Sequence, residues 1–269
     1  MPALRMDAAL MAPLTLPRAG ETIRILTALL SATLLGGCAT PGPLHLYSAN
    51  SAQQTIISDT GPTAVVNVPS FLGAVEYLAG IAYDPFTDHL FLRIGSGNTI
   101  RVIDRPAGKV KREFVVAEAP TTGGGDMAVR PRDGHLFLTH PTEPALIEAT
   151  RLGKFVRQLL LDSLTGQATG VAYDTKNDQL LVLSGSAPSV VTTHNLAGKF
   201  LSRLTLPFDG APASLAYDSA TGEFFVSGSD ATFISVFDRQ GSLLRQVPAP
   251  GNTAAPFMDV GERSFVRIF

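Results

Sequence analysis

LAGIAYDPFTDHLFLRI, residues 78–94, is the stretch whose reading decides the fold. A short apolar strand, Ile81-Ala82-Tyr83, meets Asp84-Pro85-Phe86-Thr87-Asp88, and a second apolar run follows from Leu90 to Ile94. An Asp can accept hydrogen bonds from its own backbone two residues on, and Pro pre-sets φ, so the middle reads as a tight turn between two strands. The phrase returns as GGDMAVRPRDGHLFLTH from Gly124, ATGVAYDTKNDQLLVLS from Ala168 and PASLAYDSATGEFFVSG from Pro212. A shortened copy, PFMDVGERSFVRIF, follows from Pro256.

The spacing is regular. The small residue of each first strand falls at Ala82, Ala128, Ala172 and Ala216, in steps of 46, 44 and 44. Gly61, Gly108, Gly153, Gly198 and Gly241 run in phase, 47, 45, 45 and 43 apart. Strand-containing repeats of about 40 to 50 residues are the mark of propeller blades. One copy supplies the rest of a blade. Gly95 to Asn98 is a polar loop, Thr99 to Asp104 a third strand, Arg105 to Gly108 a hairpin, and Val110 to Val116 an outer strand beside charged Lys109, Lys111 and Arg112. Apolar inner and polar outer strands suit sheets packed face to face around a channel. The expectation is an all-β propeller of four-stranded antiparallel blades, built from residues 44–269 as one domain. Asp84, Asp174 and Asp218 recur after the first strand, with Arg130 as the exception. Turn chemistry accounts for them as hairpin caps.

Five blades are expected, with six as the alternative. The C-terminal copy supplies inner strands, and the stretch from Thr55 to Val68 supplies outer ones; joined, they close the ring. Leu44 to Ser48 also reads as a second strand, one more than this blade needs. It is either tether, a sign that the closure is shifted, or part of an incomplete sixth blade.

Composition excludes several classes. Of 269 residues, 45% are hydrophobic and 16% charged, which fits a compact β protein and not a disordered chain. A net charge of −2 with no basic block lacks the footprint of a nucleic-acid binder. A single Cys allows no internal disulfide.

Arg18 and Arg24 precede an apolar run from Ile25 to Leu35. About 20 residues are needed to span a bilayer, so this run is too short, and with its positive flank it reads as a secretory signal. Leu35-Gly36-Gly37-Cys38 resembles the lipobox of bacterial lipoproteins and holds the single Cys. The resemblance implies a signal peptide over residues 1–37, lipid on Cys38 and a tether over residues 38–43. Ala39 stands where an Asp would signal inner-membrane retention. The expected address is therefore the periplasmic side of the cell envelope, at the outer rather than the inner membrane.

HLFLRIGSGNTIRVIDRPAGKV, residues 89–110, resembles the repeats of YVTN-type and NHL-type bacterial β-propellers. Leu136 to Phe155, Leu180 to Phe200 and Phe224 to Leu243 match it loosely, although the letters YVTN appear nowhere. The resemblance implies a propeller with a binding role and carries over no catalytic residues.

Loops between second and third strands (GSGN, HPTEP, SGSAPS, SGSDAT) should share one face with those linking blades. Function commonly resides in loops on a rigid scaffold. Here they carry Glu76, Tyr77, Asp126, His140 and Glu143 as candidate ligand-facing residues, with Asp209 and Asp230 nearby. Asp126 enters an innermost strand where other copies have Gly80, Gly170 or Ser214. With His140 and Glu143 it is the sharpest candidate for metal or acid–base chemistry. No nucleophile elbow, zinc-protease helix, P-loop or EF-hand pattern is present. The expected function is a lipid-anchored, non-enzymatic scaffold that binds a protein or small molecule on its loop face, without cofactor or metal. The alternative is an NHL-like hydrolase, lactonase or lyase with a metal-assisted site at the channel mouth.

Overall fold

The computed structural model describes residues 44–50, 55–59, 65–66, 71–95, 98–123, 125–164, 166–185, 188–249 and 257–262. The signal segment, Cys38 and the tether lie outside them.

The described chain opens with β1 (Leu44–Asn50), β2 (Thr55–Asp59) and β3 (Val65–Val66). Four strands follow from the deciding phrase and its sequel: β4 (Leu78–Asp84), β5 (His89–Ile94), β6 (Thr99–Asp104) and β7 (Lys109–Val115). The second copy gives β8 (Met127–Arg130), β9 (His135–Thr139), β10 (Ala145–Ala149) and β11 (Phe155–Leu160). The third gives β12 (Ala168–Asp174), β13 (Gln179–Ser184), β14 (Ser189–His194) and β15 (Phe200–Leu206). The fourth gives β16 (Pro212–Asp218), β17 (Glu223–Gly228), β18 (Phe233–Phe237) and β19 (Leu243–Pro248), and β20 (Phe257–Glu262) comes last. Among the described residues these strands form five four-stranded antiparallel sheets, each copy one meander. The molecule is a β-propeller.

The closing blade has the order β20-β1-β2-β3. This corrects the expected division of strands. Among the described residues the C-terminal copy gives only the innermost strand, and Leu44 to Ser48 belongs to β1, the second strand, paired with β20 from Leu44–Glu262 to Ala49–Phe257. The closure is shifted by one strand, which removes both the surplus and the need for a sixth blade. Leu44 and Glu262 stand opposite each other on the face that carries the first turn of each blade.

Packing follows strand parity. A strand sends alternate residues to opposite faces, and every inner strand here is covered on both, so it reads as a continuous apolar run. Leu90 and Leu92 of β5 pack with Tyr47, Ile81 and Tyr83 towards the closing blade. Phe91, between them, packs with Met127, Val129 and Leu136 of the next blade. Three further clusters repeat this, around Phe137 and Val171, around Leu181 and Phe237, and around Leu46, Ala216, Met258 and Val260. Five seams therefore hold five blades, and the fifth seam joins β16 and β17 to β20 and β1. Each fully buried Leu, Ile or Phe contributes about 1.5–3 kcal/mol.

The turns behave as their residues dictate. Asp84 accepts from the Phe86 N–H at 3.0 Å and the Thr87 hydroxyl at 2.7 Å, and Asp218 repeats this with Ala220 and Thr221. Asp174 does the same with Lys176 and Asn177. In place of a cap, Arg130 forms an ion pair with Asp133 at 2.8 Å and with buried Glu148 at 3.2 Å. Gly198 takes φ +82 in its hairpin, where a Cβ would collide with the carbonyl of Leu160.

Candidate functional site

The innermost strand of a blade has one neighbour in its own sheet, so its inner edge presents unpaired N–H and C=O groups to the channel. How these are satisfied defines the centre of the molecule. One position recurs there, two residues before the small residue: Gly80, Asp126, Gly170, Ser214 and Asp259. In three blades a register shift just before it marks a β-bulge, which re-aims the chain at the channel.

Asp126 is fully buried, and its Oδ2 accepts the N–H of Leu215 at 2.9 Å and of Val171 at 3.3 Å. These amides belong to the third and fourth blades, so one carboxyl ties three blades together. Asp259 does similar work at the closure. Its Oδ2 accepts the Tyr83 N–H at 2.7 Å and its Oδ1 the Val260 N–H at 2.8 Å. The Ser214 hydroxyl receives the Met258 N–H at 3.2 Å and faces the Met258 carbonyl at 3.3 Å. Gly170 leaves the space this needs: a Cβ there would stand 2.8 Å from the Leu215 nitrogen. Burial pushes the Asp126 carboxyl well above the usual carboxylate range, against the pull of its two backbone amides. Burial likewise lifts Asp259, to about 7.

Among the described residues no hydrogen bond joins the other expected residues to the Asp126 carboxyl. The Nδ1 of His140 accepts the N–H of Glu143 at 3.0 Å and of Thr142 at 3.3 Å, so the ring caps its own loop. Glu143 is exposed and accepts from Gln158. Glu76 holds Arg101 through both oxygens, at 2.8 and 3.1 Å, and also accepts the Gly73 N–H at 2.6 Å. The Arg101 guanidinium holds its carboxyl below the usual range. Tyr77 lies against Gly95, where a Cβ would strike its ring, and is 52% exposed. Among the described residues no group of three His, Cys, Asp or Glu side chains is arranged for a metal ion. A shallow cleft of about 170 Å³ lies on the same face of the fourth blade, lined by Asp209, Gly210, Ala211, Gly228, Asp230 and Phe233.

Two central residues were not singled out from the sequence. Asp259 was readable: aligning VGE at Val260 to Glu262 with IAY at Ile81 to Tyr83 puts it on the Asp126 position, so the layer holds two acids. Arg93 looked like one more strand residue. It is fully buried, and its Nη1 donates to the carbonyls of Thr139 at 2.9 Å and Gly125 at 3.1 Å.

No family model matches the chain, and no curated protein matches it significantly. Solved structures do. A chain of a nidogen/laminin complex is similar over 81% of this chain and 98% of its own, with 13% identity and a TM-score of 0.52. Glutaminyl cyclase from Myxococcus xanthus is similar over 65% of this chain and 71% of its own, with 15% identity and a TM-score of 0.51. One neighbour is part of a protein complex and the other is named as an enzyme, so the likeness carries the fold alone.

Proposed function

We propose that this chain is a binding scaffold of the bacterial cell envelope, held to the membrane by lipid on Cys38 and facing the periplasm, at the outer membrane. It engages a protein or small molecule through the face that carries Tyr77 and the loops between second and third strands. The observation that supports this most is the use made of the central acids. Asp126 and Asp259 accept backbone N–H groups of neighbouring blades, and His140 caps its own loop. Catalysis needs groups aimed at a reacting atom, whereas these are aimed at the frame. Purified protein screened against lactones, esters and glycosides, with divalent metals added, is expected to show no turnover. Turnover that disappears in Asp126→Asn with His140→Ala would replace this reading with the enzyme.

One observation favours that second reading, a hydrolase, lactonase or lyase of the NHL type. Two buried acids with raised pKa share one central layer, and perturbed acids gather at active sites. The same screen with Asp259→Asn decides whether the pair does chemistry.

A further inference from the structure

Arg93 is among the largest fully buried side chains of the molecule. Its parity in β5, like that of Phe91, turns it towards the second blade, beside the channel mouth. Only one corner of the guanidinium is used. Nη1 holds the two carbonyls, while Nε and Nη2 are buried without a hydrogen-bond partner. No ion pair joins Arg93 to a carboxylate among the described residues. The nearby acid, Asp126, is also half used: Oδ2 takes two amides and Oδ1 has no partner. Three unpaired polar atoms thus lie buried next to one another's residues, and each such atom is costly to leave unmade.

The pattern of what is free identifies what fits. Nε and Nη2 form the side-by-side edge of the guanidinium, which matches the two oxygens of a carboxylate in parallel hydrogen bonds. We propose that this edge, with the free Oδ1 of Asp126, is a binding site for a small carboxylic acid. This rests on the reading of the loop face as a ligand face and names the ligand's chemical class. Charge supports it. Burial lowers the Arg93 pKa only to about 10, so the cation persists at neutral pH, and burial raises the Asp126 pKa, which favours the protonated carboxyl that can donate to an acid. Because Arg93 is closed to solvent, the ligand is small and its entry needs a rim side chain to move, for which half-exposed Tyr77, against Gly95 two residues further along the chain, is the candidate.

The test uses the full chain with formate and acetate as probes, and chloride at equal ionic strength as control. Arginine side-chain N–H resonances are followed together with the melting temperature. Formate or acetate is expected to shift the Arg93 Nε–H resonance saturably, at millimolar concentration, and to raise the melting temperature; chloride is expected to do neither. Tyr77→Ala, which opens the rim above Gly95, is expected to quicken exchange between free and bound forms. Arg93→Lys, which keeps the charge and loses the fork, is expected to lose the melting shift. If neither probe moves the resonance in the wild type or in Tyr77→Ala, internal water fills the site and the inference fails. The scaffold reading survives that outcome, since it falls only to turnover.

Discussion

Asp126 shows how a single residue can hold a ring together. Replacing it with Ala strands the N–H groups of Val171 and Leu215 in the interior, and each buried unsatisfied group costs about 1–3 kcal/mol. Asp126→Ala is therefore expected to lose about 3 kcal/mol, while Asp126→Asn, whose amide oxygen still accepts both, loses less than half of that. Urea unfolding of the two variants checks this. Asp259 gives a pH dependence of unusual sign. Its folded pKa, about 7, lies above the ordinary 3.8. Between those values the unfolded carboxyl is ionised and the folded one is not. Its contribution is thus full below about pH 4 and is lost as pH rises through 7. Glu76, Asp133, Glu148 and Glu223 are held low by Arg and His partners and act oppositely, losing their contribution as pH falls below 4. Stability is expected to peak well on the acid side of neutrality, near pH 4 to 5, and Asp259→Asn to flatten the decline from there to about pH 7. Denaturation at pH 5 and pH 8 measures both. Asp126 stood out in the sequence because three copies have Gly or Ser at its position. Its partners did not, since Val171 and Leu215 donate backbone groups that any residue carries.

At the scale of elements the repeat made four blades legible almost residue by residue. Their strands are local meanders whose turn residues are written between them. The closing blade was harder, because β1 and β20 pair across nearly the whole described chain and no local periodicity records such a pairing. Asp259 is hidden for the same reason: the last copy reads as a pair of inner strands until it is aligned strand by strand with the others. Removing Pro256 to Phe269 deletes β20. Met258 and Val260 then leave the seam with Leu46, Ala216 and Ile234. At about 2–5 kcal/mol for each large core side chain lost, and about 2–4 °C per kcal/mol in a domain of this size, the melting temperature is expected to fall by about 10 °C or more. Met258→Ala alone is expected to cost about 3 kcal/mol. An unchanged melting temperature in the truncated chain would show that the closure is held elsewhere.

For the whole molecule, five seams in a closed circle mean that each blade has two neighbours and none is an end. Unfolding is expected to be one cooperative transition, seen alike by fluorescence and far-ultraviolet circular dichroism. The proposed address is tested at this scale as well. Cys38→Ser is expected to leave the protein unprocessed or free of lipid, and intact-mass measurement of the membrane fraction reads the outcome. The face on which the described ring begins and ends has a practical corollary. Leu44 and Glu262 sit side by side among the first turns of the blades, away from Tyr77 and Asp126. A dye, affinity handle or surface linkage placed next to Leu44 or Glu262 therefore leaves the opposite rim unobstructed, and the two placements should give the same association rate for any ligand of that rim.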